Sequence, residues 1–159
     1  MNAQINNTLS LNNPSLTPSN KHTSLKSLIN IMSLNTQGNE QQAKISSLAL
    51  NLGRRSIICC NETKQNSLHP FPTRINNNLL ISSLPDSSSK NGSSILVGPD
   101  LAPHIFETFH INQYFCSIHL KFKPKINILI TSIYLPHDKN ERSLATSSLV
   151  RFLKQHNNK

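Results

Sequence analysis

Three apolar runs along this chain end abruptly on a polar side chain. Leu28-Ile29-Asn30-Ile31-Met32-Ser33-Leu34-Asn35 closes on an amide, Ser56-Ile57-Ile58-Cys59-Cys60-Asn61-Glu62 on a carboxylate, and Ile126-Asn127-Ile128-Leu129-Ile130-Thr131-Ser132-Ile133-Tyr134 on a phenol. Runs of this length and composition predict strands, and three strands that each deliver one polar group to a tip predict a shared site. Between the first two, Ile45, Leu48, Ala49 and Leu52 follow the i, i+3, i+4, i+7 spacing of one helical face. Asn39 with Gln42 predicts the start of that helix, and Gly53 its stop. A strand, a helix and a second strand predict a βαβ-like opening with both strands in one sheet, so that Asn35 and Glu62 reach the same edge.

Downstream, the stretch from Thr63 through Pro70 and Pro72 to Asn78 reads as a loop. Leu79–Ser83 and Ser93–Val97 read as short strands, with a Ser-rich loop from Pro85 to Asn91 between them and Gly98-Pro99 after the second. Ile105–Ile111, Phe115–Phe122 and Ile126–Tyr134 predict three more strands, the last two joined as a hairpin at Lys123-Pro124-Lys125. Pro136 breaks the pattern, Asp138 with Glu141 repeats the capping logic, and Leu144, Ala145, Leu149, Phe152 and Leu153 predict the apolar stripe of a closing helix ending near His156. Residues 1–27, rich in Asn, Ser and Thr, lack periodicity and contain Pro14 and Pro18, which predicts a disordered tail ahead of one domain over 28–159.

Composition adds a sign to this outline. Sixteen Lys and Arg against seven Asp and Glu give a formal charge of +9 over 159 residues, which makes an anionic partner, nucleic acid first, a candidate. The basic residues cluster only at Arg54-Arg55 and at Lys121, Lys123 and Lys125, so a solvated surface accounts for the excess about as well as a binding stripe does. Cys59 and Cys60 are adjacent on a strand and point to opposite faces, Cys116 lies on another, and no C-x-x-C occurs, which points to buried free thiols in a reducing compartment. His104, His110 and His119 fall on predicted strands, but no H-x-H or H-E-x-x-H spacing supports zinc, and no role is assigned to them. No apolar run approaches the roughly 20 residues of a membrane span, so the expectation is a soluble intracellular protein with no membrane partner, compatible with the nucleus.

The strand ends resemble a known pattern. Ser33-Leu34-Asn35-Thr36-Gln37-Gly38 is similar to the S-x-N-x-x-G opening of the endonuclease/exonuclease/phosphatase (DNase I-like) superfamily, and Asn61-Glu62-Thr63-Lys64 to its Q-E-T-K. Gly92-Ser93-Ser94 resembles its G-S strand, and Ser132-Ile133-Tyr134-Leu135-Pro136 its S-x-Y-x-P, in matching order from about Leu28 to Lys154. The flavour is that of the apurinic-type endonuclease domain of non-LTR retrotransposons. The resemblance implies an α/β fold, the N-terminal half of a four-layer α/β sandwich, in which this stretch supplies one mixed, largely antiparallel sheet with helices on one face.

The resemblance also implies a chemistry. Glu62 would be a ligand of a catalytic Mg²⁺ (or Mn²⁺), since a hard cation takes carboxylate oxygen and keeps several waters. Asn35 would orient the phosphate or a water on the metal, and Tyr134 would contact the scissile phosphate as water attacks a phosphodiester of DNA in line. The family's D-x-N motif, a further metal-side aspartate and a terminal Asp-His pair are not found after Tyr134, and His137-Asp138 has the wrong order and place for that pair. Asn61 stands where Gln is usual, Ser56 where Asp is common, and Asn112-Gln113 near a usual glycine. The expectation is therefore a partial phosphodiesterase domain, inactive by itself, whose uncovered sheet face calls for association. The alternative is a non-catalytic basic module that binds nucleic acid or protein.

Overall fold

A computed structural model describes residues 29–36, 41–63, 72–84, 92–123 and 125–156. The expected tail, the Asn39 cap and the two loops around Pro70 and Ser88 lie outside these residues. Strand β1 (Asn30–Asn35) and strand β2 (Ser56–Asn61) run parallel and are joined through helix α1 (Gln41–Asn51). Their register sets Asn35 opposite Asn61, so both strands end on the same edge as expected.

Sheet order is β1-β2-β5-β4-β3, where β3 is Thr73–Ile75, β4 is Asn78–Ser82 and β5 is Ser93–Val97. Every pairing after the first is antiparallel. Strand β3 corrects the loop reading of the stretch before Asn78. Its three residues show no apolar alternation, and Thr73 and Arg74 are exposed. The strand exists through its ladder to β4 across a turn at Asn76, whose φ of 49° is in the left-handed region that asparagine tolerates.

A second sheet is built from β6 (Ile105–His110), β7 (Phe115–Lys123) and β8 (Ile126–Ile133), all antiparallel, with β7 in the centre. The predicted β7–β8 hairpin is present. His104, expected on the strand of β6, belongs instead to a short 3-10 helix, Ala102–His104, which Pro103 opens because its missing N–H costs nothing in a first turn.

The two sheets pack face to face. Ile57, Ile81, Ile95 and Val97 from the five-stranded sheet meet Cys116, Ile118, Leu120 and Ile130 from the three-stranded one. On the other side of the large sheet, Ile45 and Ala49 of α1 seal Ile58, Cys60, Leu80 and Leu96. On the outer side of the small sheet, helix α2 (Lys139–His156) lays Ala145 and Phe152 on Phe115, with Phe109, Leu129 and Ile133 around them. The layers are therefore α/β/β/α. The expectation that this stretch supplies a single sheet with helices on one face is corrected, because β6 to β8 form the opposing sheet within the same chain and each helix covers a different outer face.

What stays open is a strip rather than a face. All six β1 residues are exposed, including Ile31, Met32 and Leu34. The predicted α2 stripe also shifts: Ala145, Leu149 and Phe152 face inward as expected, but Leu144 and Leu153 are exposed. His156 completes the inner face by packing on Phe152 and Phe109, with ring centroids 4.3 and 4.6 Å away.

Two glycines work by closeness rather than by left-handed backbone. A Cβ at Gly98 would lie 2.6 Å from the Arg54 carbonyl oxygen, and one at Gly53 would lie 2.8 Å from the Ser56 hydroxyl. They let the end of β5 and the entry of β2 pass each other, where Gly98 N–H donates to the Ser56 carbonyl at 2.9 Å.

Candidate active site

At the tips of β1 and β2 the backbone is tied before any side chain is considered. The Thr36 N–H donates to the Asn61 carbonyl at 3.0 Å, and the Thr36 hydroxyl reaches the same oxygen at 2.9 Å and the Glu62 carbonyl at 3.2 Å. Lys44 of α1 donates to the Thr36 carbonyl at 3.0 Å, which fixes the same corner from the helix side. Glu62 follows with a φ of 57°, a left-handed conformation that costs a non-glycine residue of the order of 1–2 kcal/mol. Thr63 is fully buried just beyond it, and its N–H donates to the Gly92 carbonyl at 3.2 Å. The turn at Glu62 is thus held on both sides while its half-buried side chain stays at the sheet edge.

A buried polar layer ties this edge to the second sheet. The Ser93 hydroxyl donates to the Ser132 carbonyl at 3.0 Å, and the Ser132 hydroxyl lies 3.3 Å from both the Cys60 carbonyl and the Asn61 side-chain oxygen. Asn61 therefore acts as a structural bridge between sheets. The shorter side chain in place of glutamine still finds a partner.

Two residues beyond Ser132, Tyr134 is anchored by its N–H donating to the Tyr114 carbonyl at 2.7 Å. Its phenol is pushed above the ordinary range by burial first, then by the negative charges of Glu62 and Glu141. The Ser132–Asn61 contact sets the end of β8 over the end of β2, and Asn35 is the register partner of Asn61 on β1. The three residues singled out from the sequence thus end at one edge.

The donor set there is sparse. Among the described residues no three His, Cys, Asp or Glu side chains form a metal-holding group. Glu62 with the neighbouring Asn35 amide is compatible with a hard, mostly hydrated cation, which needs only one or two carboxylates.

Among solved structures, the endonuclease domain of TRAS1, a telomere-specific non-LTR retrotransposon, matches with a TM-score of 0.53 at 15% sequence identity, over 79% of this chain and 54% of that one. The fold is DNase I-like. The chain spans about half the length of that domain. No family model matches the sequence, and no curated protein does.

Within the DNase I-like framework Thr36 and Thr63, read in the sequence only as members of the two motifs, hold the strand tips. Thr36 does so through its N–H and hydroxyl and Thr63 through its N–H, while the Thr63 hydroxyl is buried without a hydrogen-bond partner among the described residues. The letters D-x-N do occur after Tyr134, at Asp138-Lys139-Asn140, where they begin helix α2. Asp138 is a helix cap: its Oδ1 accepts from the N–H groups of Asn140 and Glu141, both at 2.9 Å. The histidines are engaged separately, His110 donating from Nδ1 to the Ser82 carbonyl and His104 stacking on Phe122 at 4.7 Å. No helix of the described residues is long and apolar enough to cross a membrane.

Proposed function

We propose that this edge is the Glu62 side of a metal-dependent phosphodiesterase site for nucleic acid, and that the 159 residues alone do not cleave. The observation that carries the reading is the turn at Glu62: a strained, left-handed carboxylate at a strand tip, held by Thr36 and Thr63, at the same edge as the Tyr134 phenol, which burial first and then the Glu62 charge push upward. Glu62, with Asn35 beside it, would hold Mg²⁺ or Mn²⁺, which when bound supplies neutralisation of the phosphate and leaving-group charge. Tyr134 stays protonated over the neutral range and can donate its hydroxyl to a phosphate oxygen. Asn35 can donate its amide to another. Neither group can take a proton from an attacking water at neutral pH, and among the described residues no three His, Cys, Asp or Glu side chains gather into a metal-holding group, which supports inactivity of the chain by itself.

The likeness to an endonuclease domain supports DNA as the substrate class, and the open apolar strip at β1 supports association with further polypeptide along that edge. Mn²⁺ binding, followed by the relaxation of water protons, tests the metal reading: the parent binds and Glu62→Ala does not. Equal binding by the two would refute it. Plasmid nicking in Mg²⁺ is expected to be the same for both, and activity of the parent above Glu62→Ala would refute the claim of inactivity.

A further inference from the structure

The opposite end of the sandwich carries a different surface. β7 and β8 run away from the Tyr134 edge for eight residues of β8, ~25 Å at about 3.4 Å per residue, to the end where Lys123 pairs with Ile126. Here Phe106 is 64% exposed, although it lies between strand residues of an otherwise well-packed sheet. A register shift between Ile105 and Glu107 puts it out of the ladder, and α2 does not reach it. Its ring is met by the edge of His119 at 5.7 Å and overlain by the Lys121 ammonium, 5.2 Å from the centroid. Lys121, Lys123 and Lys125 are all exposed, and among the described residues none of them is ion-paired.

The other charges at this end leave the sign unchanged. Glu107, exposed and opposite His119, is the carboxylate next along β6 from Phe106. Arg54 and Arg55, which precede β2 at the same end, share the single Asp100 carboxylate at 2.7 and 3.4 Å, so one positive charge is left over there too.

We propose that this end binds single-stranded nucleic acid, with a base stacked on Phe106 and the backbone phosphates held by Lys121, Lys123 and Lys125. Cations alone would suit any polyanion. An exposed aromatic face beside them suits a strand whose bases are free to stack, which a duplex does not offer. Lys121 rests on the ring as a displaceable lid, since a flexible exposed ammonium can move from the aromatic face to a phosphate. The surface lies at the far end from Glu62 and needs no metal, so it stands or falls separately from the phosphodiesterase reading.

Fluorescence anisotropy with a labelled polythymidine strand, in chelator, tests it on the full chain. Phe106→Ala is expected to weaken binding about tenfold, the scale of one base–aromatic stack. The Lys121→Gln, Lys123→Gln, Lys125→Gln variant is expected to weaken it further and to flatten the salt dependence by about two units of slope. Glu62→Ala is expected to bind as the parent does, and circular dichroism should report the same fold for all. Unchanged affinity in Phe106→Ala, loss of binding in Glu62→Ala, tighter binding of the equal-length duplex, or displacement of the strand by polyglutamate at equal charge would each overturn the proposal.

Discussion

β1 and β5 flank the same strand, β2, and both are short uncharged segments with apolar residues, yet all five residues of β5 are buried and all six of β1 are exposed. β5 is hydrogen-bonded on both edges, covered by α1 on one face and by β7 and β8 on the other. Among the described residues β1 is bonded on one edge, and its side chains are left exposed. Hydropathy therefore identifies a strand but not its depth, which is decided by how many neighbours the topology supplies. β1 also lacks the lysines, prolines and bulges that guard natural edges, and this sets it apart as a surface suited to further pairing.

The largest expected difference between the two strands is in stability. Ile95→Ala in β5 removes a side chain from the centre of the inter-sheet core and should cost about 2–5 kcal/mol. Ile31→Ala in β1, at a side chain that is 56% exposed, should change stability by no more than about 0.5 kcal/mol. Urea denaturation followed by circular dichroism measures both, and similar losses at the two positions would show that β1 is covered in solution.

β2, the shared neighbour, extends the contrast into pH. Cys60 on its α1 face and Cys116 in the inter-sheet core are pushed up to about 12 from an ordinary 9.0, in both cases chiefly by burial, with the Ser93 hydroxyl pulling Cys116 partly back. A raised folded value means that the unfolded chain loses its protons first. The contribution is whole below pH 9.0 and falls as pH climbs toward about 12, by of the order of 1 kcal/mol per unit for each thiol. Alkaline pH should thus lower the urea midpoint of the parent, and a double Cys60→Ala, Cys116→Ala variant, less stable throughout, should have a flatter profile. A parent midpoint constant over that range would remove burial as the cause.

How much of this was legible follows the same division. Long apolar runs announced β1, β2, β5, β7 and β8, and the Ile45 to Leu52 spacing announced α1, because burial on one or two faces leaves a periodic record. β3 left none, since Thr73 and Arg74 face solvent and the strand is made by its partner. The opposing sheet was hidden for another reason: a strand pattern does not say which sheet it joins, and only the contacts of Ile118 and Leu120 with Ile81 and Ile95 show that β7 lies across rather than beside. At the site, Asn35, Glu62 and Tyr134 were found as the polar ends of apolar runs. That Thr36, Thr63 and Ser132, members of the same motifs, tie those ends down was not legible, because a hydrogen bond made by a backbone N–H or a small hydroxyl leaves no pattern in the sequence.

Smaller effects separate serines of the two strands. Ser93 in β5 is buried and its hydroxyl bridges to the Ser132 carbonyl, so Ser93→Ala should cost about 1 kcal/mol. Ser33 in β1 is exposed, and Ser33→Ala should be neutral within about 0.5 kcal/mol. The same exposure predicts that Ile31→Lys and Met32→Lys leave the urea midpoint nearly unchanged while reducing concentration-dependent association in sedimentation velocity. Association unaffected by both charges would clear the β1 edge.

The smallest effect probes where the two regions meet, at the strand tips. Burial contributes most to the raised phenol of Tyr134, and the charge of Glu62 comes next. Glu62→Gln removes that charge and leaves the burial, so the phenolate becomes easier to form and the Tyr134 titration should move down, toward but not past the ordinary tyrosine range. Absorbance titration of the phenolate in the parent and in Glu62→Gln reads the shift, and Tyr134→Phe assigns it against Tyr114. Because Glu141 also contributes, Glu141→Gln should move the same titration down by less. If Glu62→Gln left Tyr134 where it is, the carboxylate would not face the phenol in solution, and the β1–β2 tip and the β8 tip would be two separate ends instead of one site.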